Sequence, residues 1–367
     1  MPLPATTRSY RIRRIQSNNK STNAHIELTS DAIPPLATQE VLVKIHAVSL
    51  NFRDLMILNG LYPVSKDHLV PCSDAAGEVI SVGKRVTKWK AGDRVVCSMN
   101  SAYRNADSVA MGEKLQETSL GAGIDGVLTE YRCFLDEALV RIPQAFTYEQ
   151  ASTLPCAALT AWNALTGPYP VKAGDHVLIQ GTGGVSCFGM QFARALGASA
   201  IVTSSSDEKL EKAQRLGATY TINYLKKPDW EGEVLRITKD RGADHVLEVC
   251  GAPNILRSVK ATRYGGHLHN IGVLAGFDGD GQISDLLSGL LMKTITLRSI
   301  QTGSIEQFEA MIQFINAKII FPKVDKIFDF AHAREAYDFL ASKAHIGKVV
   351  IRVSEERKIS VVKRSSL

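Results

Sequence analysis

Val177-Leu178-Ile179-Gln180-Gly181-Thr182-Gly183-Gly184-Val185-Ser186, followed by Cys187-Phe188-Gly189-Met190-Gln191-Phe192-Ala193, decides the fold. A short apolar run ends in glycines, and a helix-like apolar pattern follows. This is the strand–turn–helix that holds a dinucleotide pyrophosphate. The first glycine allows a tight turn. The second lets the backbone approach phosphates, which rest on the free N–H groups of the helix start. The third glycine of the usual pattern is replaced by Ser186, small enough for helix and strand to pack. Gly181, Thr182, Gly183, Gly184 and Val185 are therefore candidate cofactor contacts. Ala200-Ile201-Val202-Thr203 reads as a second strand about 20 residues on, the spacing of a βαβ unit.

Working outward, residues 157–300 alternate strand and helix. Strands are expected at 177–180, 200–203, 220–223, 245–249, 267–272 and 294–298. Helices are expected near 184–196, 207–216, 230–240, 254–263 and 284–292. That pattern is a doubly wound parallel sheet. Residues 1–156 read as short strands punctuated by Gly and Pro, an antiparallel β domain. Within it, 99–125 reads as a long loop flanking a functional site. Residues 301–367 carry helices near 304–317 and 332–341 and a strand from Gly347 to Val353, and are expected to fold back on the first domain. Residues 354–367 read as a loose polar end.

A chain of 367 residues, 45% hydrophobic and 22% charged, suits a globular enzyme of two domains. The net charge of +6 is spread along the chain with no aromatic-interleaved basic patch, which argues against nucleic acid. No apolar run is long enough to span a membrane. Six scattered cysteines with no C-x-x-C pair argue against structural zinc and disulfides, and for a reducing compartment, the cytoplasm. The first 26 residues lack acids and hold Arg8, Arg11, Arg13, Arg14 and Lys20. They read as a first strand around 10–15, with a mitochondrial presequence as the alternative. Ser365-Ser366-Leu367 lacks the lysine of a peroxisomal signal.

Four stretches resemble the medium-chain dehydrogenase/reductase superfamily: Asn51-Phe52-Arg53-Asp54-Leu55-Met56 with Gly60-Leu61-Tyr62-Pro63; Asp74-Ala75-Ala76-Gly77-Glu78-Val79 through Gly92-Asp93-Arg94-Val95; Gly181–Val185; and Gly347-Lys348-Val349-Val350. The resemblance implies a GroES-like β domain joined to a Rossmann domain, with the active site in the cleft between them. In zinc alcohol dehydrogenases of that superfamily, Cys, His and Cys hold a catalytic metal. The matching positions here are Asn51, Ser73 and Cys156. A thiol, an amide and a hydroxyl make a poor tetrahedral zinc site, so no metal is expected. The four-cysteine structural-zinc lobe is also missing from 97–125. The chain is most similar to the zinc-independent branch, the quinone oxidoreductases and enoyl reductases.

An NAD enzyme usually carries an acid at the end of the second strand, to bond the ribose 2′-hydroxyl. Here that end is Thr203-Ser204-Ser205-Ser206-Asp207-Glu208-Lys209, with Ser204 at the acid position. Hydroxyls and a lysine suit a 2′-phosphate. In the resembled quinone oxidoreductases, the lysine at the place of Lys209 and the tyrosine of the Ile222-Asn223-Tyr224 run hold it. NADP(H) is therefore the expected cofactor, from Ser204, Ser205, Lys209 and Tyr224. The alternatives are a helix cap at Ser206 with Lys209 on a solvated face, and Asp207 reaching the ribose. The resemblance adds Cys250, Gly251, Ile271, Gly272 and Val273 beside the nicotinamide ribose and ring, Thr160 packed on the ring, and Lys348 near the cleft.

Loss of the metal ligands points to activated alkenes and quinones, where hydride meets an electrophilic carbon and an enolate develops. Asn51, Tyr62 and Arg53 are the candidate catalytic residues. Asn51 also reads as a loop cap, Tyr62 as packing, and Arg53 and Asp54 either as partners of one another or as the start of a helix 53–59. Cys156 reads as a small buried residue, and His267 and His269 share one strand face. A metal-free carbonyl reductase on the same fold and a non-catalytic NADPH sensor stand as alternatives. A small-molecule substrate and a homodimer are the expected partners.

Overall fold

The computed structural model describes residues 4–15, 23–105, 107, 112–276 and 283–355. Parts of the 99–125 and 276–290 segments, and 356–367 with the terminal Ser-Ser-Leu, lie outside the described residues.

The glycine-turn unit sits at the centre of a six-stranded parallel sheet. Its spatial order is Ala218–Asn223, Ser199–Ser204, His176–Gln180, Ala243–Glu248, Thr262–Asn270 and Thr296–Ser299. In chain order that is 3-2-1-4-5-6, the doubly wound Rossmann arrangement. The chain reverses direction across the sheet between His176–Gln180 and Ala243–Glu248. The loops at the carboxyl ends of these strands, after Gln180 and after Glu248, border the crevice where such sheets bind ligands. The strands read as near-continuous apolar runs because both sheet faces are covered: Val177, Leu178, Ile179, Val246 and Leu247 are all fully buried.

The β domain is a seven-stranded sheet with Glu40–Ser49 at its heart, pairing antiparallel with Asp74–Val82, Tyr131–Leu135 and Lys348–Arg352. An N-terminal hairpin of Thr6–Ile15 and Asn23–Ala32 lies outside that sheet. Its strand is longer than the expected 10–15 segment. Val324–Asp329 pairs in parallel with Lys348–Arg352, so the tail contributes two strands to the first domain. The helix Ile305–Lys318 packs against the helix Leu159–Thr166 and the strand Leu139–Arg141. A helix Glu113–Glu117 interrupts the 99–125 segment, which the sequence suggests is all loop.

One hydrophobic core runs across the junction of the two sheets. It joins Ala47, Val96 and Val140 of the β domain to Ile179, Phe188, Phe192 and Phe308 through Leu154, Leu159 and Leu165. Each phenylalanine buried there contributes about 1.5–3 kcal/mol of transfer free energy. The two domains therefore share a floor beneath their cleft. Among the described residues no helix is long and apolar enough to cross a membrane.

The two histidines that the sequence places on one strand face meet a third. His245 Nδ1 lies 3.1 Å from His269 Nε2, and the His267 ring is 4.9 Å from that of His245. Burial lowers the pKa of His245 to about 4 and of His269 to about 3, and neighbouring cationic groups add to the effect. Between those values and about 6.5 the unfolded chain binds protons that the folded chain refuses, so stability is lost as pH drops through that window. Across the full window His245 accounts for roughly 3 kcal/mol and His269 for roughly 5 kcal/mol. Thermal melts should show a drop in Tm from pH 6.5 toward pH 4, reduced in a His245→Gln/His269→Gln double variant.

Candidate active site

The turn after His176–Gln180 is open. Gly181 has φ +70°, and a Cβ there or at Gly183 would meet nothing within 4 Å. A left-handed turn with free space above it, leading into the twelve-residue helix Gly184–Ala195, is a cradle for a pyrophosphate. Ser186 satisfies itself, its Oγ donating to the Gln180 carbonyl at 2.7 Å. Val185 packs against the shared core.

The second strand ends at Ser204. Ser205 is exposed beside it, and the Tyr224 N–H donates to the Ser204 carbonyl at 3.1 Å, which brings Tyr224 to the same edge. Ser206 caps the next helix by accepting from the Lys209 N–H, so the cap reading is realised. The Lys209 ammonium is half-buried and donates to the Lys343 carbonyl at 2.6 Å. Asp207 is drawn away to Asn223 Nδ2 at 2.7 Å and Lys226 Nζ at 2.5 Å.

On the other side of the crevice, the Cys250 and Gly251 N–H groups donate to Glu248 Oε1 at 2.8 and 3.0 Å. Glu248 Oε2 accepts from Gln180 Nε2 at 2.7 Å and from the Ser258 hydroxyl. Ile271 and Gly272 donate their N–H groups to the Glu248 carbonyl, and the Val273 carbonyl accepts from Gly276. The two loops are thus built around one fully buried acid at a strand end. Glu248 and Gln180 are absent from the residues singled out in the sequence. Their only signal there is a pair of polar side chains closing two apolar strands. Thr160 is buried, and its hydroxyl donates to the Gln301 carbonyl at 3.3 Å.

Across the cleft, Asn51 caps the helix Phe52–Leu58, and its N–H donates to Asp54 Oδ2 at 2.8 Å. The helix start read at 53 and 54 is realised, and the alternative Arg53–Asp54 side-chain pair is not formed. Arg53 instead donates to the Leu120 carbonyl at 3.0 Å and to Ser119 Oγ at 2.9 Å, and its guanidinium lies 5.0 Å from the centre of the Tyr62 ring.

The positions matching metal ligands hold other bonds. Lys348 Nζ donates to Asn51 Oδ1 at 2.5 Å and to the Leu50 carbonyl at 2.6 Å. Ser73 Oγ donates to Asp74 Oδ1 at 2.7 Å, and the Cys156 N–H to Asp74 Oδ2 at 3.1 Å. Burial pushes the Cys156 thiol up to about 12, with the Asp74 charge adding to it. Burial also raises both carboxyl groups, Asp54 to about 6, while Lys348 opposes the rise in each. Asn51 lowers the Asp74 value too, yet Asn51 Nδ2 is buried without a hydrogen bond of ordinary length. Among the described residues no group of three or more His, Cys, Asp or Glu is arranged to hold a metal.

Two family models match this arrangement: an alcohol dehydrogenase GroES-like domain at 37–144 and a zinc-binding dehydrogenase domain at 184–317. A zinc-type alcohol dehydrogenase-like protein of Schizosaccharomyces pombe is 43% identical over 317 residues, covering 86% of this chain and 91% of that one. The chain belongs to the medium-chain dehydrogenase/reductase superfamily. It is an oxidoreductase of that superfamily, with its GroES-like and Rossmann domains. A solved NAD-dependent alcohol dehydrogenase is 28% identical, with TM-score 0.83 over 95% of this chain and all of that one. Acryloyl-coenzyme A reductase of Metallosphaera sedula is 25% identical over 87% of this chain and 93% of its own. Quinone oxidoreductase of Mus musculus is 25% identical over 89% and 93%.

Asp54 gives a test of the electrostatics. Its folded pKa, about 6, lies above its ordinary value of 3.8, so its ionisation opposes folding increasingly as pH rises through that window. Asp54→Asn should raise stability by roughly 2 kcal/mol at pH 8 and by little at pH 4, read from denaturant midpoints.

Proposed function

We propose that this oxidoreductase is NADPH-dependent, works without zinc and reduces α,β-unsaturated carbonyls or quinones. The observation that carries the reading is the Lys348–Asn51 bond. An ammonium holds the amide oxygen at the first ligand position, while the second position is a hydroxyl committed to Asp74. This donor set does not fit zinc, because a divalent cation would have to share the pocket with a buried lysine and find its thiolate where burial favours the thiol.

The glycine turn fits a dinucleotide, with Gly181–Val185 under the pyrophosphate and the Cys250–Gly251 and Ile271–Val273 loops beside the nicotinamide end. Ser204 at the acid position, Ser205 and Tyr224 at the same edge, and Lys209 within reach favour a 2′-phosphate. Lys209 would exchange the Lys343 carbonyl for that phosphate. With Asp207 engaged by Lys226 and Asn223, it does not compete for the ribose. The NAD-dependent structural relative marks the opposing outcome. A reduced nicotinamide, if held there by these loops, would supply the hydride that the substrate's electrophilic carbon takes up. Asn51 Nδ2 then donates to the carbonyl oxygen as charge gathers on it. Tyr62, its ring held under Arg53, or a water delivers the proton. The relatives that reduce acryloyl-coenzyme A and quinones support this substrate class.

Absorbance assays at the reduced-nicotinamide band should show turnover of enones or quinones with NADPH preferred over NADH, and little with simple ketones. Ser204→Asp should shift the preference toward NADH by about tenfold or more. Asn51→Ala should lower kcat by about 10²-fold. NADH preference, or faster turnover of simple ketones, would sink the reading.

A homodimer is part of the proposal. The edge strand Thr296–Ser299 and the adjoining helix Ile283–Met292 expose Ile283, Leu287, Leu291, Met292 and Leu297, an apolar rim suited to a second copy. Sedimentation should show a dimer that Leu287→Glu/Leu291→Glu converts to monomer. Six free cysteines suit the cytoplasm.

A further inference from the structure

The serine at the end of the second strand does not leave that margin without an acid. Ser204 stands opposite Asn223 where Ser199–Ser204 and Ala218–Asn223 pair. Asp207 opens the helix Asp207–Leu216 and turns its side chain back to that pair, Oδ1 accepting from Asn223 Nδ2 at 2.7 Å. A residue beyond the strand thus carries a carboxylate to the strand end, where an acid stands in NAD-binding turns. Such a carboxylate has two effects. It accepts a proton from a ribose 2′-hydroxyl, and it repels a 2′-phosphate carrying roughly two negative charges.

Lys226 answers that charge. Beyond Asn223 the chain turns back, and Asn223 Oδ1 accepts from the Leu225 and Lys226 N–H groups at 3.0 and 3.4 Å. The Lys226 ammonium then donates to Asp207 Oδ2 at 2.5 Å. One asparagine therefore fixes both partners, the acid through its Nδ2 and the lysine backbone through its Oδ1. Lys226 and Asn223 together hold the Asp207 carboxyl below the usual carboxylate range, so the acid stays ionised and covered. The adjacent Glu208 is matched by Lys212 at 2.7 Å. Among these side chains and Lys209, positive charge prevails only while Lys226 is present.

We propose that Lys226 is a specificity-determining residue for the coenzyme. By neutralising Asp207 it opens the margin to a 2′-phosphate and withholds the carboxylate from a 2′-hydroxyl. The role rests on the proposed preference for NADPH. It acts through Asp207, so the lysine matters only while residue 207 is an acid.

Dissociation constants for NADPH and NADH test it in a double-mutant cycle, read from nucleotide fluorescence on the full chain without substrate. Lys226→Met should weaken NADPH binding about tenfold and leave NADH binding unchanged or tighter. Lys226→Arg keeps the charge and should hold the NADPH constant within about twofold. In the Asp207→Asn background, Lys226→Met should cost less than about threefold. Both side chains are exposed, and such a pair contributes little to folding, so every variant should melt with the parent chain. A tenfold loss that persists beside Asp207→Asn would overturn the role through Asp207. So would an NADPH constant untouched by Lys226→Met in a chain that prefers NADPH, and the coenzyme reading would then still stand. A parent chain that binds NADH more tightly than NADPH would overturn that reading, and this inference with it.

Discussion

The bond from Lys348 Nζ to Asn51 Oδ1 joins two parts of the molecule that fold by different rules. Asn51 belongs to the antiparallel β domain, where it begins a short helix. Lys348 opens the strand Lys348–Arg352, which leaves the glycine turn at Gly347 and enters the β sheet beside Glu40–Ser49. The contact forms only if the Rossmann turn and the β sheet are both complete. Asp54 and Asp74 are buried around it, and each is held closer to its charged form by the lysine. An ion cluster of this kind is expensive to desolvate, and removing the lysine leaves the two carboxyl groups without the cation that opposes their rise.

The cradle itself is simple. It needs one glycine in a left-handed turn, one beside open space, and one that yields to a lysine stem. The specificity lies at its margins. At one margin, three serines and Lys209 stand where an acid would select a free ribose hydroxyl. At the other, Glu248 gathers the N–H groups of Cys250 and Gly251 and the Gln180 amide, and so shapes the loop after its strand. Both margins sit at carboxyl ends of parallel strands, where the winding of the sheet leaves a crevice.

The glycine turn, the alternation of strands and helices and the end of the second strand were legible in the sequence because each depends on neighbours within about 20 residues. Ser204 closes its strand where the spacing places it, and Ser206 caps its helix. What stayed hidden depends on distant partners. Arg53 turns from Asp54 to Ser119 and Leu120, some 66 residues away, and nothing local announces that preference. Glu248 and Gln180 lie 68 residues apart, and Asn51 and Lys348 lie 297 apart. Such pairs exist only once two sheets have closed on one core.

Metal content against turnover tests the central claim most directly. The chain would be produced with zinc in excess, freed of loosely held ions, and assayed for zinc per chain and for NADPH-dependent enone reduction before and after a strong chelator. The account predicts far less than one zinc per chain and unchanged turnover. One firmly held zinc per chain, whose removal abolishes turnover and whose return restores it, would contradict the account.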